Sequence, residues 1–88
     1  MNNRCVIWGT GEGAEELIEN GIPNLIGFIE TKRTKETFKG KKVYLPSEIL
    51  KEQYDAIVIS VKRFDYYTEI SNTIKILNIK NTISLFLF

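Results

Sequence analysis

The sequence predicts an α/β fold: a small three-layer domain whose parallel sheet of about five strands runs in the order 3-2-1-4-5. Three observations lead there. Cys5-Val6-Ile7-Trp8 is an apolar run that stops at a glycine turn, Gly9-Thr10-Gly11-Glu12-Gly13-Ala14, and then becomes helical. Two further runs, Leu25–Glu30 and Tyr54–Val61, are apolar almost throughout, the habit of strands buried on both faces of a parallel sheet. The unit from Arg4 to Glu30 is strand, turn, helix and strand in the ~30 residues a parallel crossover needs. The handedness rule for such crossovers and the order of elements then set the sheet order.

The elements follow in turn. Arg4–Trp8 is the first strand, after a polar lead-in of Met1-Asn2-Asn3. Glu12–Asn20 is the first helix: Ala14, Leu17 and Ile18 make a stripe that can cover one sheet face. Glu12, Glu15 and Glu16 suit the helix dipole in its first turns. Asn20-Gly21 stops the helix and Pro23 prevents its resumption. After the second strand, Thr31–Lys42 reads as a polar loop rich in Lys and Arg, with Gly40 turning into a brief third strand over Lys42–Leu45. Pro46 and Ser47, a favoured N-cap, open a short helix over Glu48–Glu52. Tyr54–Val61 is the central fourth strand. Phe64, Tyr67, Ile70, Ile74 and Leu77 give the next helix, Phe64–Leu77, a continuous core stripe. Asn81–Phe88 is the last strand. Its apolar end leads to the expectation of a domain cut from a longer polypeptide, or of an edge that another chain covers.

Composition narrows the function. A chain of 88 residues makes one small domain with a single core, and 43% hydrophobic content excludes a disordered tail. A net charge of +1 provides no field to draw nucleic acid or a membrane surface. The longest apolar runs are strand-length, so a cytoplasmic protein is expected. Cys5, the one cysteine, sits in an apolar strand as a buried, inert thiol. There is no histidine, the commonest general base and metal ligand. No tyrosine is followed by lysine four positions on, and no cysteine–carboxylate metal cluster exists. Neither catalytic nor metal-ligating residues are therefore assigned, and a self-sufficient dehydrogenase is not expected.

The glycine turn carries the chemistry. It fits G-x-G-x-x-G/A, with Gly9 and Gly11 in the first places, Ala14 in the third, and Thr10, Glu12 and Gly13 between. Gly9 allows a tight turn, Gly11 removes a side chain where a phosphate would meet a Cβ, and Ala14 lets the helix pack closely on the sheet. Gly13 gives the turn added freedom. The N–H groups of Gly11–Gly13 would face an anion at the helix end. Glu12 either repels that anion or points into water. Glu30 stands 21 positions after Gly9, close to the ~20 expected of an acid that accepts hydrogen bonds from a ribose diol. Lys32 and Arg33 follow it. Ser60-Val61-Lys62-Arg63 sits where the second half of a nucleotide would rest, with Lys62 and Arg63 as the cations placed to meet its far end. Trp8 either stacks on a base or belongs to the core. Against all this stands a turn that needs glycine for its backbone and binds nothing.

Several short motifs recur in one order: Ile7–Gly13, Ile26–Glu30, Phe38–Val43, Leu45–Glu48 and Tyr54–Ile59. Their series resembles the compact Rossmann-like domains of bacterial surface-sugar biosynthesis. Examples are the amino-terminal domains of left-handed β-helix sugar acetyltransferases and the domains of polysaccharide-synthesis epimerases and dehydratases. The resemblance implies binding of NAD(P) or a nucleotide sugar through Gly9–Ala14, with the acid at Glu30, where the family often has aspartate. No transferase or epimerase body accompanies the domain, so those activities do not carry over. The leading expectation is a module that holds a small nucleotide ligand. Two alternatives remain open. One is the cofactor domain of a nucleotide-sugar epimerase or dehydratase. The other is a degenerate oligomerisation domain that pairs through Leu85–Phe88. The choice among NAD, NADP, a UDP-sugar and coenzyme A stays open as well.

Overall fold

The computed structural model describes residues 3–84. In chain order the elements are β1 (Cys5–Trp8), α1 (Glu12–Glu19), β2 (Leu25–Ile29), β3 (Thr37–Phe38), β4 (Lys41–Tyr44), α2 (Pro46–Ile49), β5 (Ala56–Ile59), α3 (Phe64–Leu77) and β6 (Thr82–Ser84). The central strands β1, β2 and β5 are short and apolar on both faces, and both of their faces are covered. Val6, Trp8, Ile29, Tyr44, Ile57 and Ile59 form one core with Ile49 of α2 and Ile70 of α3. Ile7, Phe28 and Val43 point the other way, into a second core with Ala14, Leu17 and Ile18 of α1.

The sheet overturns the expected one. Among the described residues six strands pair in the order β3-β4-β2-β1-β5-β6, and β3 is antiparallel to β4, so the sheet is mixed rather than a parallel set of five ordered 3-2-1-4-5. The added strand lies inside the stretch expected to be a basic loop. Lys39 and Gly40 both have positive φ, 52° and 77°, and Phe38 pairs directly with Lys41 across them. That is a two-residue hairpin of the kind whose twist matches its strands. Phe38 anchors it by meeting the Phe28 ring edge to face at 5.0 Å.

Smaller differences have equally local causes. The helix expected over Glu48–Glu52 begins instead at Pro46, with Leu45 as its N-cap. Glu48 accepts the Leu45 N–H at 2.9 Å, so Ser47 falls inside the helix rather than capping it. Phe64 lies off the α3 core stripe and is 64% exposed, whereas Ile70 is buried. Of the last expected strand, Thr82–Ser84 pairs with β5, while residues 85–88 lie outside the described residues. Among those described, no helix is long and apolar enough to cross a membrane.

The seating of α1 is the closest approach at any glycine of the chain. A Cβ on Gly13 would stand 1.9 Å from the Ser60 carbonyl oxygen, just beyond β5. Close packing of the helix therefore falls to Gly13, not to Ala14, which is buried among Ile7 and Phe28. Gly11 is the opposite case: its φ of −104° suits any residue, and a Cβ there would meet nothing within 4 Å. Gly13→Ala is thus expected to lose about 1–3 kcal/mol to overpacking, although alanine favours a helix by about 1 kcal/mol. Gly11→Ala is expected to be nearly neutral. Urea unfolding of both variants checks this, and equal stabilities would contradict the assigned contact.

Candidate ligand-binding cleft

Strand β1 lies between β2 and β5. The chain leaves β1 for α1 on one face of the sheet and leaves β5 for α3 on the other. Connections that diverge in this way open a crevice at the strand carboxyl ends. Here it is a cleft of about 640 Å³, within the ~300–1,000 Å³ of small-molecule sites. Gly9, Thr10, Gly11, Glu12, Gly13, Glu30, Lys32, Ser60 and Lys62 all line it. Ala14 does not, being fully buried beneath the turn.

Gly9 has a φ of +129°, open in practice only to glycine. Its N–H donates to the Ile29 carbonyl at 2.9 Å, which ties the turn to the end of β2. No side chain caps α1 at Gly11, so the first-turn N–H groups keep the partial positive charge of a helix end. The Glu12 side chain is 85% exposed and turned out to water. Ser60 is 7% exposed, and its hydroxyl has no hydrogen-bond partner among the described residues. That oxygen lies 3.7 Å from where a Gly9 Cβ would be, directly under the turn. Buried polar atoms are seldom left unpaired.

Glu30 is the hub of a network. Thr10 Oγ1 donates to its Oε2 at 2.7 Å, and the Thr34 N–H donates to its Oε1 at 2.9 Å. Lys35 Nζ donates to Thr10 Oγ1 at 3.0 Å and stands 3.5 Å from Glu30 Oε2. Burial pushes the Glu30 carboxyl up. The Thr34 N–H, the Thr10 hydroxyl and the Lys35 charge outweigh that and hold it below the usual carboxylate range. The acid expected to meet a ribose therefore already has both oxygens engaged. Thr34 and Lys35 were hidden in a uniformly polar run, and no signal in the sequence sets them apart from their neighbours.

The cations differ in availability. Lys62 Nζ lies 2.5 Å from Glu16 Oε1 and 4.0 Å from Glu12, bridging the β5–α3 loop to α1. The Glu16 hydrogen bond raises its pKa above the ordinary lysine value, against the pull of desolvation. Lys32 is exposed and has no ion-pair partner among the described residues. Trp8 is a core residue: it is 1% exposed and its indole N–H donates to Thr31 Oγ1 at 3.2 Å. Tyr66, in the first turn of α3, also lines the cleft. It stands four residues before Ile70, which lines the cleft as well, and that helical spacing is the signal by which the sequence could have revealed it. No group of three or more His, Cys, Asp or Glu among the described residues is placed to hold a metal ion.

The chain matches the family described as C2185-like, N-terminal, over residues 1–83, and it belongs to that family. No curated protein matches it.

The Glu30 network has a pH signature. A carboxyl whose folded pKa is depressed adds stability that is present above its unfolded value, near 4.5, and is lost as pH falls through the folded one. Glu30→Gln keeps one acceptor and loses the charge. It is expected to cost about 1–3 kcal/mol at neutral pH, with the difference from wild type shrinking on acidification. Urea unfolding of both proteins at neutral pH and at about pH 3 measures the gap, and a gap that does not change with pH would contradict the charged brace.

Proposed function

We propose that the cleft binds a nucleotide cofactor or nucleotide sugar, of NAD(P) or UDP-sugar type, through the Gly9–Ala14 turn, and that the domain does no chemistry alone. The observation that carries this reading is Gly11. Neither its backbone angles nor its packing calls for glycine, yet it stands over an uncapped helix end in a ligand-sized cleft. A missing side chain there has a physical use when something else fills the space, and helix N–H groups favour an anion such as phosphate. The unpaired Ser60 hydroxyl beneath the turn supports the same reading.

Glu30 serves the ligand through Thr10, as the brace that fixes the turn, and meets a ribose only by exchanging one of its present bonds. Lys32 is the cation available to a phosphate without breaking a pair. The resemblance to domains of bacterial surface-sugar biosynthesis supports a nucleotide sugar as one member of the ligand class. That class also fits a cytoplasmic setting.

A ligand that binds only the folded state raises its stability, by about 2.7 kcal/mol at a hundred times Kd. Thermal unfolding is measured with NAD, NADP, UDP, UDP-N-acetylglucosamine, coenzyme A and S-adenosylmethionine, on wild type and on Gly11→Asp. The open space at Gly11 lets the aspartate variant fold, and its carboxylate occupies the anion position. At least one nucleotide is expected to raise the wild-type midpoint and leave that of the folded variant unmoved. Absence of a shift with every compound overturns the proposal, as does an equal shift in the variant.

A further inference from the structure

We propose that the Arg63–Tyr66 pair is the surface on which a flat heteroaromatic ring of the ligand stacks. The ligand would then carry a base and lie with that base toward α3. This inference rests on the nucleotide reading above and adds an orientation to it.

Among the described residues, two aromatic side chains line the cleft, Trp8 and Tyr66. Trp8 has no face to offer, being 1% exposed with its N–H engaged by Thr31. Tyr66 is 50% exposed. The Arg63 guanidinium lies over the Tyr66 ring at 4.6 Å from its centre. Asp65 holds that guanidinium by two bonds, accepting from Nε at 3.2 Å and from Nη2 at 2.8 Å. A forked carboxylate fixes the plane of an arginine, and a fixed guanidinium lying on an aromatic ring extends the flat surface that a base can use. The other cation–π pairs, Lys35 and Lys39 on Phe38 and Lys42 on Tyr44, involve residues that do not line the cleft.

The placement suits a two-part ligand. Arg63 is the N-cap of α3 and Tyr66 lies in its first turn, so both follow Ser60 on the β5 side. The glycine turn and the end of α1 form the opposite wall. A phosphate at Gly11 then leaves its base to run along the α3 wall. At the β2 side, Glu30 is closed off by Thr10, Thr34 and Lys35, and no aromatic face is open there among the cleft-lining residues. The Arg63–Asp65 ion pair has both side chains more than half exposed. Pairs of that kind add little to stability, so a role in shaping the cleft accounts for the arrangement better than a role in folding.

The test is calorimetric titration of wild type, Tyr66→Phe, Tyr66→Leu and Gly11→Asp with UDP, NAD and, as probes without a base, pyrophosphate and ribose 5-phosphate. A stacked base is worth enough that its loss weakens binding about fivefold or more. UDP or NAD is expected to bind wild type and Tyr66→Phe alike and Tyr66→Leu at least about fivefold more weakly. Any binding of the two base-free probes is expected to be insensitive to Tyr66→Leu. Proton spectra are expected to show the Tyr66 ring signals moving on addition of the nucleotide. If UDP or NAD binds wild type, fails with Gly11→Asp and binds Tyr66→Leu at full affinity, the nucleotide reading stands and the stacking surface is overturned. If neither nucleotide binds wild type the stacking proposal falls, and if no compound of the thermal panel binds either, the nucleotide reading falls with it.

Discussion

The contact between the first turn of α1 and the end of β5 sets the rest of the structure. Gly13 lies so close to the Ser60 carbonyl that no side chain fits between them. That approach brings the amino end of a helix onto the rim of the sheet, and it seals the Ser60 hydroxyl beneath the glycine turn. Open space remains around Gly11, where a Cβ would meet nothing within 4 Å. Gly9 completes the arrangement by reversing the chain at a φ of +129° while its N–H holds the end of β2. Two of the three glycines thus answer demands of the fold, backbone angle at Gly9 and helix contact at Gly13, while Gly11 answers neither.

Electrostatics around the cleft are balanced locally rather than pooled into a field. Lys35 answers Glu30, Lys62 answers Glu16 and Glu12, and Arg63 answers Asp65. These pairs are mostly exposed, and exposed pairs stabilise a fold weakly. Their effect is to fix positions. Glu30 holds Thr10 in the turn, Lys62 joins the α3 loop to α1, and Asp65 orients the Arg63 plane. With Lys35, Lys62 and Arg63 each held by a carboxylate, the uncapped N–H groups of α1 and the exposed Lys32 are what remains for an anion. A chain of net charge +1 can therefore present a local anion site without a strongly basic surface.

Much of this was legible in the residues, and the parts that were not share a cause. The β1 run, the glycine turn and the α1 stripe are local patterns, and the cleft forms where those patterns meet the end of β5. The β3–β4 hairpin was hidden because a lysine, not asparagine or glycine, takes the first left-handed position at Lys39. Such a turn is held by what its strands bury, here Phe38 against Phe28, and that packing is not visible in a string. The role of Gly13 depends on Ser60, 47 positions away, so the spacing rule that favoured Ala14 could not reveal it. The saturation of Glu30 depends on how the chain after β2 folds back to offer Thr34 and Lys35. Tyr66 was the exception, since its place one turn before Ile70 on α3 was readable.

The central claim is that an anionic group of a nucleotide rests on the amino end of α1 over Gly11. The most direct measurement is a titration of the ¹⁵N-labelled protein with UDP and with NAD, followed through backbone amide resonances. The expected result is that the amides of Gly11, Glu12 and Gly13 shift most and saturate together with that of Ser60. Saturable shifts centred on the Lys39–Lys42 hairpin, or no saturable shift at the glycine turn with either compound, would contradict the claim.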